Sequence, residues 1–135
     1  MPLELKYSSD FYRIEEDIYR SLLQAEWLRP VQKHEMVTGG TKLYEVLTQT
    51  GATLVIADTS KLTNLSTETK EWMSSKFYEL LSQTELKKLA RVVPEALFAR
   101  LALESVVTRA EAIGVTKFEV GNFTDPQKAL DWLLK

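Results

Sequence analysis

The residue types that could do chemistry in this chain meet where a short apolar run ends. Residues 54–57 are apolar, Asp58 follows them as a single carboxylate, and Ser66 and Thr67 come after a short polar loop. The pattern predicts a buried strand whose carboxyl end leads to two hydroxyl groups at the N-terminus of a helix. Such a place can hold an anion, accept a phosphoryl group or dock a partner.

Each of these side chains also has an ordinary structural role. The Asp58 carboxylate can cap the turn that follows it by accepting hydrogen bonds from backbone amides. The Ser66 hydroxyl can cap the helix by accepting from the amide of Glu68 or Thr69. A phosphate on Ser66 or Thr67 would be stabilised by the helix dipole, so capping and regulation remain alternatives.

Metal-dependent and nucleophilic catalysis need residues that this sequence does not group together. The chain has no cysteine, and His34 is its one histidine, beside Glu35 at the start of a predicted helix. A metal site needs clustered His, Cys or carboxylate ligands, and this histidine builds no Ser-His-Asp set. We therefore expect no enzyme activity, no metal and no cofactor.

Length and composition indicate one globular domain. The chain has 135 residues, of which 44% are hydrophobic and 27% charged, with a formal net charge of -2. That balance argues against general nucleic-acid binding, which depends on clustered Lys and Arg. No apolar run approaches the roughly 20 residues of a membrane span, and the start shows no signal region. With the absence of cysteine, these features predict a cytoplasmic protein without a membrane span.

Strand and helix patterns alternate along the chain. Residues 1–10 are predicted to form a polar, frayed extension, and residues 11–135 one domain that opens with a hairpin over residues 11–18 and 19–28. The later strands are predicted at residues 53–57, 86–93 and 117–120. The helices are predicted at residues 33–48, 67–82 and 94–113, and from Pro126 onward. This ββαβαβαβα order predicts an α/β fold with a mostly parallel sheet and an antiparallel N-terminal hairpin.

Two glycines interrupt the first predicted helix. Gly39 and Gly40 together cost the helix about 2 kcal/mol relative to alanine. They either allow close packing against the sheet, break the first turn, or let a ligand approach.

The helix predicted for residues 94–113 is apolar around most of its circumference. A helix that packs on one sheet needs one apolar stripe, so the surplus side chains should meet something else. The surplus residues are Leu97, Phe98, Leu101 and Leu103. A second helix, a homodimer interface or a lipophilic pocket would cover them, and Trp72 and Phe77 would belong to the same ligand or dimer surface.

The segment over residues 54–67 resembles the STAS domains of bacterial anti-sigma-factor antagonists. Those domains have an apolar strand, then Asp and Ser, a short loop with hydrophobic residues, and a regulatory Ser or Thr at a helix start. On that pattern Asp58 and Ser60 match the strand-end pair, and Thr67 falls on the phosphorylatable position. Ser66 stands where the family carries an acidic residue.

The chain from residue 11 onward is similar in element order to the divergent STAS/SEC14-like branch. Members of that branch carry a strand tryptophan, a tryptophan early in the next helix and a terminal Trp-Leu helix, here Trp27, Trp72 and Trp132. The resemblance implies a non-enzymatic regulatory module that binds a protein partner or a second copy of itself. It also implies a likeness to CRAL-TRIO lipid-binding domains, which makes a carrier or sensor of a small lipophilic ligand the alternative.

The two interpretations predict different structures. A closed apolar cavity would favour the carrier, whereas an exposed helix start with free amides would favour the interaction module. For the module, we expect the site to consist of Asp58, Ser60, Ser66 and Thr67.

Overall fold

Six strands form one mixed sheet in the computed structural model, which describes residues 3–135. The strands are β1 (Glu4–Ser8), β2 (Tyr12–Asp17), β3 (Leu22–Trp27), β4 (Leu54–Asp58), β5 (Lys88–Val92) and β6 (Glu119–Phe123). They lie in the sheet in the order in which they occur in the chain. β1, β2 and β3 pair antiparallel, and β3 to β6 pair parallel.

The helices alternate with the parallel strands. They are α1 (Lys33–Thr50), α2 (Thr67–Trp72), α3 (Tyr78–Leu81), α4 (Leu97–Ala112) and α5 (Pro126–Leu133). A 3₁₀ turn, Ile18–Arg20, links β2 to β3, and a π-helical segment, Met73–Phe77, joins α2 to α3. Because every crossover runs in the same direction along the sheet and crossovers are right-handed, α1 to α4 all pack on one face. α5 follows the last strand and packs on the opposite face.

Hydrophobic residues fill both faces of the central strands, as expected for parallel strands covered by helices. The main core lies between the sheet and α1 to α4, and its strand residues include Ile14, Leu23, Val55 and Leu89. A smaller core lies under α5 and contains Leu22, Ala90, Val92, Ala129 and Leu133.

Helix α1 packs closely at its two glycines, against the sheet at Gly39 and against α2 at Gly40. A Cβ atom on Gly39 would lie 2.6 Å from Cη2 of Trp27 and 2.9 Å from Cδ2 of Tyr12. A Cβ atom on Gly40 would lie 2.9 Å from Cη2 of Trp72. The helix is continuous through both positions. Of the three roles considered for these glycines, the structure shows close packing.

The order of elements predicted from the sequence is confirmed, with one strand added at the N-terminus. The expected fraying of residues 1–10 is wrong for Glu4–Ser8, which pair with β2 as an edge strand. Tyr7 lies opposite Ile14, and its ring centroid is 6.4 Å from that of Tyr12. The strand gives a weak sequence signal because most of its side chains are exposed. Residues 1 and 2 of that prediction lie outside the described residues.

Several element boundaries also differ from those predicted. α4 begins at Leu97 rather than at residue 94, and β6 covers Glu119–Phe123 rather than residues 117–120. The helix predicted for residues 67–82 contains the π-helical segment, where serine hydroxyls bond to backbone carbonyls. Ser74 Oγ donates to the carbonyl of Lys70 at 3.0 Å, and Ser75 Oγ donates to that of Glu71 at 2.6 Å. Such bonds compete with the regular α-helical ladder.

Candidate functional site

The carboxylate of Asp58 caps the turn that follows β4. Its Oδ1 atom accepts from the backbone amide of Ser60 at 2.9 Å and from the Ser60 hydroxyl at 2.6 Å. The backbone amide of Thr59 donates instead to the carbonyl of Val92 at 2.8 Å, and its hydroxyl donates to the same oxygen at 2.7 Å. The loop after β4 is therefore held both by its own carboxylate and by β5.

The start of α2 is exposed and is capped by Ser66. Ser66 Oγ accepts from the backbone amide of Thr69 at 3.1 Å, and the two hydroxyl oxygens lie 2.8 Å apart. Ser66, Thr67 and Glu68 are exposed, whereas Thr69 is buried. Within residues 3–135, the backbone amides of Thr67 and Glu68 donate to no protein group, so they point to solvent at the positive end of the helix.

The four residues expected to form the polar site fall into two local groups. Asp58 bonds to Ser60, and Ser66 bonds to Thr69, with no hydrogen bond between the two groups in the described chain. Both groups lie at the edge of the sheet where the parallel strands end. Between them the loop is anchored by Leu62, which is fully buried.

His34 is exposed at the start of α1. Its neighbour Glu35 is structural. The Glu35 carboxylate accepts from Arg29 at 2.7 and 3.2 Å and from the backbone amide of Gln32 at 2.9 Å. These hydrogen bonds, those from Arg29 first, lower the pKa of Glu35 from 4.5 to about 2. In the described part of the chain, no group of three or more His, Asp or Glu residues could hold a metal.

Three apolar residues of α4 are exposed to solvent. The exposed fractions of Leu97, Phe98 and Leu101 are 52%, 85% and 48%, and we call these three residues the α4 patch. Leu103, grouped with them on the sequence, is fully buried, so its assignment to the surplus side is wrong. α4 packs against α2, and both helices begin at the edge where β4 and β5 end. The α4 patch and the α2 start therefore lie on the same edge of the fold.

Trp72 and Phe77 belong to the interior rather than to the α4 patch. Their rings stack at 5.4 Å between centroids, and Phe77 is buried while Trp72 is half-buried. The enclosed void beside Phe77 has a volume of about 20 Å³, which is room for about one water molecule. Within residues 3–135, this void is too small to hold a lipophilic ligand, and the carrier alternative stays a prediction.

Arg91 lies inside the main core with 2% of its surface exposed, a placement that the sequence did not predict. Nε donates to Oδ1 of Asn122 at 2.9 Å, Nη1 donates to the Tyr78 hydroxyl at 3.2 Å, and Nη2 donates to the carbonyl of Leu103. Burial raises the pKa of Tyr78. The signal in the sequence is an arginine on the inward phase of an apolar strand, and its partners come from three distant segments.

Comparisons with known proteins bear on the fold. No protein-family model matches the sequence, and no curated protein matches it. Among solved structures, the chain is similar to an uncharacterized protein of the DUF3478 family from Shewanella loihica PV-4, which is described as having a SpoIIAA-like fold. The two are 21% identical, with a TM-score of 0.56 over 98% of this chain and 92% of that chain. No helix in residues 3–135 is long and apolar enough to cross a membrane. The similarity to that solved structure shows that the chain has the SpoIIAA-like, STAS-like α/β fold that its sequence predicted.

Proposed function

We propose that this chain is a non-enzymatic, cytoplasmic regulatory module that acts by binding a protein partner or a second copy of itself. The α4 patch is the observation that carries the proposal. Large apolar side chains grouped on one surface mark interaction sites, and aromatic residues are enriched at the centres of interfaces. Phe98, the most exposed of the three, would be the central contact.

The start of α2 would supply the polar part of the same interface. Its free amides and the exposed Thr67 hydroxyl can accept and donate hydrogen bonds at the rim of an apolar contact. The side chains of Asp58 and Ser66 accept hydrogen bonds from neighbouring backbone amides, and these bonds hold the loop and the helix start in one conformation. These contacts support a preformed docking surface in preference to proton transfer.

Photo-crosslinking from the patch tests the proposal. The full chain would carry benzoylphenylalanine in place of Phe98 in its host cells, with the same probe in place of Tyr19 as the control. Tyr19 is matched because it is 81% exposed and lies on the 3₁₀ turn, at the opposite edge of the parallel strands. We expect one protein, or a second copy of the chain, to crosslink at position 98 and not at position 19.

Calorimetry with the purified partner then measures the contact. We expect Phe98→Ser to weaken the complex at least about tenfold, which is the loss of one well-buried aromatic contact, and Tyr19→Ser to leave it unchanged. Equal crosslinking at the two positions, or an affinity that Phe98→Ser does not alter, would refute the proposed role of the patch.

A further inference from the structure

The face of the sheet that carries α5 is covered over only part of its width. α5 packs on β4, β5 and β6. On β2 and β3, the same face presents polar side chains, among them Arg13, Glu15 and Glu26, which are exposed or half-buried. A groove of about 290 Å³ lies between these side chains and α5.

Apolar residues and carboxylates both line the groove. The apolar part, which we call the apolar wall, includes Ile56 of β4 and Leu130 of α5. The three carboxylates belong to Glu15, Glu26 and Asp58, against one cation, Arg13. The Arg13 guanidinium forms its ion pair with Glu15, at 3.3 Å.

Two of these carboxylates stand next to each other, and Arg13 of β2 lies opposite one of them, Glu26. Glu26 of β3 and Asp58 of β4 lie directly opposite each other in the parallel register, on the same face. Neither forms an ion pair with any residue from 3 to 135, and Asp58 uses Oδ1 alone to cap its turn. Like charges opposite each other on neighbouring strands destabilise a sheet, and a cation placed between them relieves the repulsion.

We propose that this groove docks a segment of a partner protein, with a lysine or arginine side chain between Glu26 and Asp58 and an apolar side chain against Ile56 and Leu130. Charge complementarity selects the cation, since a guanidinium or ammonium group bonds strongly to carboxylates. The apolar wall selects a segment that also carries hydrophobic residues. The inference rests on the proposed function as an interaction module, and it adds a second surface on the opposite face of the sheet from the α4 patch.

Amide chemical shifts of the ¹⁵N-labelled full chain test the groove. The probe is the peptide acetyl-Leu-Arg-Leu-Lys-Leu-amide, and its charge-reversed partner is acetyl-Leu-Glu-Leu-Glu-Leu-amide. We expect the basic peptide to shift amides around Glu26, Asp58 and Gln127, with an affinity that falls as salt rises. The acidic peptide should leave those amides unmoved.

Matched variants separate the groove from general surface charge. Glu26→Gln should weaken the basic peptide about tenfold, as expected for the loss of one charge-assisted contact. Glu79→Gln makes the same charge change at an exposed site on α3, across the sheet, and should have no effect. Arg13→Gln should tighten binding, because it removes the cation that lines the groove. The amide spectrum of each variant reports its fold.

Four results would overturn the inference: no shifts in the groove, equal binding of the acidic peptide, equal loss in Glu26→Gln and Glu79→Gln, or equally tight binding of N-acetylarginine amide. The last would make the groove a site for small cations. Failure of the groove inference can be told apart from failure of the proposed function, because crosslinking at position 98 does not involve the groove.

Discussion

The Tyr78 hydroxyl accepts a hydrogen bond of 3.2 Å from Nη1 of Arg91 inside the main core. The guanidinium of arginine stays charged in proteins, and within residues 3–135 no carboxylate lies within ion-pair distance of this one. The buried charge is instead solvated by neutral oxygens from α3, α4 and β6. This hydrogen bond therefore joins the sheet, at β5, to the helical layer, at α3, inside the main core.

Replacing Tyr78 by Phe should destabilise the fold by about 1–3 kcal/mol, because it leaves a buried charged donor without an acceptor. Tyr44→Phe is the control, since Tyr44 is half-buried and its hydroxyl makes no hydrogen bond within the described residues. Urea denaturation midpoints of both variants measure the difference. Equal midpoints would show that the Tyr78 hydroxyl contributes nothing to holding Arg91.

Gly39→Ala should lower the melting temperature despite the better helix propensity of alanine. The new Cβ atom would meet the rings of Trp27 and Tyr12 at 2.6 and 2.9 Å, and overpacking of this kind costs about 1–3 kcal/mol. The gain in propensity is about 1 kcal/mol. Thr38→Ala, at an exposed position of the same helix, should be neutral or slightly stabilising. A rise in melting temperature for Gly39→Ala would mean that the two rings move aside freely.

Ser66→Ala should destabilise the fold by about 1 kcal/mol, because it removes the oxygen that accepts from the Thr69 amide. Thr67→Ala should be almost silent, since the Thr67 hydroxyl is exposed and makes no bond within residues 3–135. Thermal unfolding of the two variants, side by side, decides between capping and a stabilising role for Thr67. A larger loss from Thr67→Ala would reverse the assignment.

Thr67 of protein purified from its own cells should carry no phosphate. The exposed carboxylate of Glu68 adjoins it, and that charge would repel a phosphate on Thr67. Phosphopeptide mapping of the native protein measures the occupancy. Stoichiometric phosphate on Thr67 would establish the switch that the family pattern implies.

Glu35 should make the stability of the chain pH-dependent in acid. Its pKa is lowered from 4.5 to about 2, so its bonds to Arg29 stabilise the fold above about pH 4.5 and are lost as the pH falls toward 2. Glu35→Gln should therefore lower the urea midpoint at pH 7 and match the parent chain near pH 2. Glu45→Gln, in an exposed pair with Lys42, should show a smaller difference at pH 7. A deficit in Glu35→Gln that persists at pH 2 would point to packing as its cause.

The elements predicted well from the sequence are those with strong local signals. The apolar run that leads to Asp58 lies in β4, Ser66 caps α2, and α5 begins at Pro126. Strand β1 was missed because its side chains are mostly exposed and it has one neighbour in the sheet. Edge strands carry little of the hydrophobic alternation on which sequence interpretation depends.

The candidate site was predictable only where its contacts are local. The bonds of Asp58 and Ser66 join residues two or three positions apart, and the chain itself brings such partners together. The phase of β5 marks Arg91 as inward-facing, but its hydrogen-bond partners lie 12 to 31 residues away, so the sequence does not show them. Leu103 was assigned to the wrong side of α4 for a related reason. Because this helix is apolar around most of its circumference, its sequence does not reveal which side faces the sheet.

The agreement between strand order and chain order bears on how the molecule is assembled during synthesis. Each strand after β1 is synthesised later than a hydrogen-bonding neighbour, so the sheet can grow at one edge from β1 to β6. The face under α5 is completed after the sheet itself, because Ala129 and Leu133 follow all six strands in the chain. A chain that ends before Pro126 would display Leu22, Ala90 and Val92 to water. Helix α5 therefore covers the apolar face of the newly made sheet, and truncated chains that lack α5 should aggregate.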